Sequence, residues 1–187
     1  GIGWTNQGSD NELTGFDLVG KQEFFGVPFD MIVQEENNNK SVIGLRSGKV
    51  TTSKQFLESV TIPINLTVDG LYIIHNAAWA TTKNIAKYTW VYEDGTSEAV
   101  DIVIDKHIYE WWGNGESSVN PIIWKGTTPE ASGFGMGISL NMFAFVNPEP
   151  TKKVKELKCE ITSDVAACMI VAVTAADFGG KGMFMAE

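Results

Sequence analysis

Alternation of apolar and polar residues with a period of two recurs along this chain, with turn residues between the runs. No long stretch places apolar residues at the 3, 4, 7 spacing of a helix, so the chain must be built from strands. The clearest run is Tyr88, Trp90 and Tyr92 leading to Glu93-Asp94-Gly95, with Val100, Ile102 and Ile104 alternating beyond it. A two-residue Asp-Gly turn would pair Tyr88 with Asp101 and set an aromatic face against an acidic one. A three-residue loop with Gly95 in the left-handed conformation pairs Tyr88 with Val100 and keeps the apolar faces together, and this register is the one expected. Trp90, in the middle of the alternation, belongs in the core.

The same reading extends to the other runs. Val60, Ile62, Ile64, Leu66 and Val68 alternate with polar residues and with Pro63. Proline donates no ladder hydrogen bond, so this strand lies at a sheet edge or turns Pro63 away from its neighbour. Residues 71–80 are apolar on both parities apart from His75 and Asn76, as in a central strand covered on both faces. Further strands are expected at 40–45, 137–146, 154–161 and 167–174, and at 24–33 with an interruption at Pro28; Asn37-Asn38-Asn39 reads as a turn. The sum is an all-β fold, an antiparallel β-sandwich of roughly eight to ten strands in two sheets. One domain spans 1–176, and a glycine-bearing tail follows at 177–187.

Cys159 and Cys168 are the only cysteines. If Ser163-Asp164 is a two-residue turn, antiparallel pairing sets them opposite each other. A cross-strand disulfide and a pair of small buried thiols both fit that placement.

The formal net charge of -9, from 23 acidic and 14 basic residues, makes nucleic acid and anionic membrane surfaces poor partners. No apolar run approaches the roughly 20 residues of a membrane span. A neutral partner is the better fit. Beginning at Gly1 without Met, the chain reads as an excised or processed module.

Searches for catalytic chemistry return little. His75 and His107 are the only histidines and stand at no metal-binding spacing. There is no nucleophile elbow and no P-loop, and the glycine-rich segment 133–137 precedes a strand and reads as a loop. A glycosidase needs two carboxylates facing each other across a cleft. Glu93, Asp94, Glu98, Asp101, Asp105 and Glu110 are available, but beside turns and on polar strand faces they read as solvated surface charge. No catalytic residue is assigned, and the chain is not expected to be an enzyme.

The aromatic residues say more. Trp79, Trp90, Tyr109, Trp111, Trp112 and Trp124 crowd the middle of the chain. Sugars present flat C–H faces ringed by hydroxyls, so their sites combine exposed rings with planar hydrogen-bonding side chains. Trp111 and Trp112 are adjacent; in an extended segment they point to opposite faces, and at most one of them is core. Near the N-terminus, Asp10-Asn11-Glu12 offers oxygen ligands of the kind calcium takes, and an Asx-turn accounts for the same residues.

Several segments together resemble a galactose-binding-like module of large bacterial glycoside hydrolases. They are Gly3-Trp4-Thr5-Asn6-Gln7-Gly8, Phe25-Gly26-Val27-Pro28-Phe29-Asp30, residues 71–79, Tyr92-Glu93-Asp94-Gly95-Thr96, Ile108-Tyr109-Glu110-Trp111-Trp112, Trp124-Lys125-Gly126 and Asn147-Pro148-Glu149-Pro150. Asn6 stands where the family pattern often has Asp. The resemblance implies a jelly-roll sandwich, secreted, periplasmic or displayed at the cell surface with a parent glycoside hydrolase. It implies a structural calcium, for which Asp10 and Asn11 are the candidates. It also implies either binding of a polysaccharide or glycan, or a packing role beside the catalytic domain. Sugars in related sandwiches meet loops at one sheet end or a concave face, and His75, Asn76, Trp79, Tyr109, Trp111 and Trp112 are the residues expected to converge there.

Overall fold

The computed structural model describes residues 4–5, 8–11, 17–49 and 56–177. The expected tail beyond Asp177 and the Asn6 position lie outside the described residues. Among the described residues the alternating runs form eleven strands. These are β1 (Gly20–Phe24), β2 (Val27–Met31), β3 (Ile43–Arg46), β4 (Ser59–Thr67), β5 (Gly70–Ala78), β6 (Asn84–Tyr92), β7 (Ser97–Val103), β8 (Ile122–Gly126), β9 (Ile138–Val146), β10 (Lys153–Ile161) and β11 (Ala167–Ala176). One short helix, α1 (Pro129–Gly133), precedes β9.

The strands make a four-stranded sheet, β4-β10-β6-β7, a five-stranded sheet, β3-β11-β5-β9-β8, and a two-stranded ribbon, β1-β2. Every named pairing is antiparallel, and the architecture is an all-β sandwich. Between the sheets lies a core that includes Leu71, Ile73, Tyr88, Trp90, Phe145, Leu157 and Ile170. Trp90 is fully buried and stacks on Phe145, ring centres 4.8 Å apart. A second core covers the outer face of the five-stranded sheet, where Val27, Phe29 and Met31 of β2 meet Ile74, Leu140, Met142 and Met169. The ribbon is therefore a lid of apolar side chains that gives β5 two buried faces, which is why that strand is apolar on both parities.

The β6–β7 hairpin has the register that the apolar faces require: Tyr88 pairs with Val100, and Gly95 sits at φ +83° in a three-residue loop. β4 is an edge strand, as Pro63 demands. The run 24–33 differs from expectation. It breaks at Phe25-Gly26, both at positive φ (52° and 76°), and Pro28 sits inside β2 opposite Glu23. A tight turn with two left-handed residues matches the twist of a hairpin, so the chain folds back there and not at the proline.

The expected hairpin through Ser163-Asp164 is also overturned. β10 already pairs with β4 and β6, and β11 with β3 and β5, so neither strand has a free edge for the other. The chain crosses from one sheet to the other, with the Ser163 hydroxyl accepting the N–H groups of Val165 and Ala166 at 3.3 and 3.0 Å. Cys159 lies opposite Val60 and Tyr88, and Cys168 opposite Leu45 and Ala77, so they are not cross-strand partners. Both are free, buried thiols. Burial drives both thiol pKa values up, that of Cys168 to about 12.

His75 is completely buried on the inter-sheet side of β5. Its Nε2–H donates to the His107 carbonyl at 2.8 Å, so its Nδ1 accepts from the Tyr88 hydroxyl at 2.9 Å. This is the neutral imidazole. Burial lowers its pKa from 6.5 to about 4, with a further downward push from His107, against the upward pull of the His107 carbonyl. An unfolded chain takes up this proton below pH 6.5, while the fold resists it until about pH 4. Stability therefore rises with pH across that window, approaching about 1.4 kcal/mol per pH unit. Denaturant titrations at pH 4.5 and 7 are expected to show this loss on acidification, and His75→Gln is expected to flatten the slope by close to one proton; an unchanged slope would exclude His75 as its source.

Candidate functional site

The site is assembled at the end of β5. Immediately after Ala78, Trp79 takes φ +56°, a left-handed conformation that costs a non-glycine residue about 1–2 kcal/mol. Its neighbours hold it there. The next N–H, that of Ala80, donates to the Glu110 carboxylate at 3.0 Å, and the Arg46 guanidinium lies 4.6 Å from the centre of the Trp79 ring. Residues 109–112 run beside β5, forming a parallel bridge at Ala77 and Glu110. The Ala77 N–H donates to the Tyr109 carbonyl and the Trp111 N–H donates to the Ala77 carbonyl, both at 2.9 Å. The chain bends at Trp111, and the carbonyl of that residue accepts from the Ser139 N–H of β9.

Glu110 is the tie between these two segments. Burial raises its carboxyl above the usual carboxylate range, while hydrogen bonds from the backbones of Ala80, Trp112, Trp111 and Trp79 pull it back down. It is half-buried and serves as an organiser of three tryptophans, so the expectation that it is solvated surface charge does not hold.

The bend places both adjacent tryptophans on one cleft. Trp111 is 2% exposed and forms part of the second core, with Trp4 packed edge-on against it at 5.2 Å. Trp112 is half-buried, its ring centre 6.5 Å from that of Trp111. Phe134, 70% exposed, follows at 5.9 Å from Trp112. These three rings, with Trp79, Glu110, Glu130, Ala78 and Met136, line an open cleft of about 390 Å³. The far wall is α1, where the Thr128 hydroxyl caps the helix by accepting the Ala131 N–H and Pro129 occupies the first turn. Glu130 of that turn accepts a hydrogen bond from the Asn11 amide, which fastens the 3₁₀ turn Ser9–Asn11 to the helix. Such a surface can hold a ligand with a flat apolar face and polar edges.

Trp79, Trp111 and Trp112 thus meet as expected, with one of the adjacent pair core and the other partly open. The other three sugar candidates are elsewhere. His75 is enclosed between the sheets. Asn76 is fully buried, donating to Asn141 Oδ1 at 2.9 Å and to the Tyr109 carbonyl at 3.3 Å, and accepting from the Asn141 N–H. Tyr109 is 8% exposed and does not line the cleft. His75 and Asn76 are interior because β5 has a core on each side, so their polar groups act within the fold.

Asp10 is exposed, and the Asn11 side-chain oxygen is buried without a hydrogen-bond partner. Calcium takes six to eight oxygen ligands, and among the described residues no group of three or more His, Cys, Asp or Glu is placed to hold a metal ion.

Sequence reasoning missed Glu130, Phe134 and Met136. Their signal was present: a phenylalanine and a methionine inside a glycine-rich loop have no strand to bury them, and both are exposed at the rim. No protein-family profile, curated protein or solved structure matches this chain.

Replacing Glu110 with Ala leaves the Ala80 N–H without its acceptor and unties Trp79 from the 109–112 segment. The expected loss is about 1–3 kcal/mol in denaturant unfolding, with a weaker near-ultraviolet circular dichroism signal from the tryptophans. Glu110→Gln, which keeps an acceptor oxygen, should retain most of both; equal losses for the two variants would show that the carboxylate's hydrogen bonds are not what matters.

Proposed function

We propose that this chain is a non-catalytic carbohydrate-binding module, carried outside the cell by a glycoside hydrolase that it attaches to a polysaccharide or glycan. The observation that carries this reading is the convergence of Trp79, Trp111, Trp112 and Phe134 on one open cleft. Aromatic rings at a surface opening match the C–H face of a pyranose, and the carboxylates beside them accept from its hydroxyls. A volume of about 390 Å³ suits one or two sugar units. The likeness to galactose-binding-like modules, seen at the segments carrying Trp79 and Trp111-Trp112, supports the same assignment and its jelly-roll topology.

A second reading, an interaction domain packed beside a catalytic domain, is favoured by the exposure of Phe134 (70%) and Met136 (42%) on the same rim. Apolar side chains of this kind are often covered by a partner.

Calorimetric titration against fragments of plant, algal and host glycans separates the two. Binding at micromolar to millimolar concentration is expected, weakened tenfold or more by Trp112→Ala and by Phe134→Ala with the melting temperature of the latter little changed. Failure to bind every glycan at millimolar sugar overturns the carbohydrate assignment.

A further inference from the structure

The cleft has a sign of charge as well as a shape. Among the described residues its ionisable lining is Glu110 and Glu130, with no Lys, Arg or His. Arg46 packs on the Trp79 ring, but it is 7% exposed and does not line the cleft. Two carboxylates against that one guanidinium leave the opening acidic, on a protein whose formal net charge is already -9. The rest of the lining is aromatic or apolar: Trp79, Trp111, Trp112, Phe134, Met136 and Ala78.

Rings and carboxylates around one opening form the surroundings preferred by an ammonium group. The faces of tryptophan and phenylalanine carry the negative part of their quadrupole, and they attract a cation placed above them. Arg46 over Trp79 shows one such contact already made within the fold. An acidic sugar meets the opposite situation, because its carboxylate would approach two others without a basic residue to pair with. A neutral sugar fits the rings but leaves the charge of the cleft unused.

We infer that the sugar held in this cleft carries a free amine, as glucosamine-type units do, with the ammonium group facing Glu130 and the ring face on Trp112 and Phe134. This rests on the carbohydrate reading above and narrows it to a cationic glycan. Glu130 is the residue to alter, since Glu110 is committed to the backbone of the tryptophan segments. Glu130→Gln removes the charge and keeps an oxygen to accept the Asn11 amide.

The experiment is calorimetric titration of the whole chain with glucosamine oligomers, N-acetylglucosamine oligomers of equal length, oligouronates and tetramethylammonium, at a pH where the amine is protonated. Glucosamine oligomers are expected to bind at least tenfold more tightly than their acetylated counterparts, with no binding of oligouronates. Glu130→Gln is expected to reduce the preference to within about threefold, and an unchanged melting temperature reports that the variant is folded. Equal or stronger binding of acetylated or acidic oligomers overturns the cationic specificity and leaves the carbohydrate reading standing. Binding of tetramethylammonium, lost in Trp112→Ala, without binding of glucosamine oligomers overturns the inference that the cation is part of a sugar. Failure of all four probes overturns the cationic specificity, and the wider glycan panel decides the carbohydrate reading separately.

Discussion

The absence of any solvent face on β5 is the constraint on which the rest of the structure depends. The strand runs between β9 and β11, with one core on each side. Buried polar groups without partners are costly, so its two polar residues must each find partners inside. His75 reaches across the sandwich to Tyr88 of the opposite sheet and back to the His107 carbonyl. Asn76, pointing the other way, takes the Tyr109 carbonyl and both the backbone and side chain of Asn141. One bond of each residue, to the His107 and to the Tyr109 carbonyl, also fixes a piece of chain that is not a regular strand. The 107–112 segment is held against the sheet at His107, Tyr109 and Trp111, and so Glu110 and Trp112 arrive beside Trp79. The cleft is a consequence of how β5 satisfies its own polar groups.

This explains what was legible in the sequence and what was not. The longer strands, the edge position of β4 and the β6–β7 register followed from alternation and turn chemistry, because those signals are local, whereas β8 and the turn at Phe25-Gly26 were not foreseen. The crossing at Ser163 was not legible. A Ser-Asp pair between two apolar runs serves a hairpin or a change of sheet equally well, and the choice was made by β4, β6, β3 and β5, which are distant in sequence. The aromatic candidates were identified by type, but type does not report direction. His75 and Asn76 carry the chemistry of a sugar site and use it on interior partners. Trp111 and Trp112 share a cleft because the chain bends between them, which an extended segment would forbid.

The acidic residues show the same limit. Glu110 looked like any strand-face carboxylate, and its role depends on the N–H of Ala80 and the neighbouring tryptophan backbones. Glu130 gained its place from the cap of a five-residue helix, an element too short to leave a periodic pattern. A cleft formed where separated segments meet is written in their packing, and only its apolar outliers, Phe134 and Met136, stand out along the chain.

Trp79 has a consequence for how this protein can change. Its left-handed backbone is a conformation that glycine adopts freely, so a glycine at this position would relieve strain while removing a wall of the cleft. The strain of about 1–2 kcal/mol held in that backbone is set against the packing of the ring on the second core and under the Arg46 guanidinium, so the tryptophan is kept by what its side chain touches.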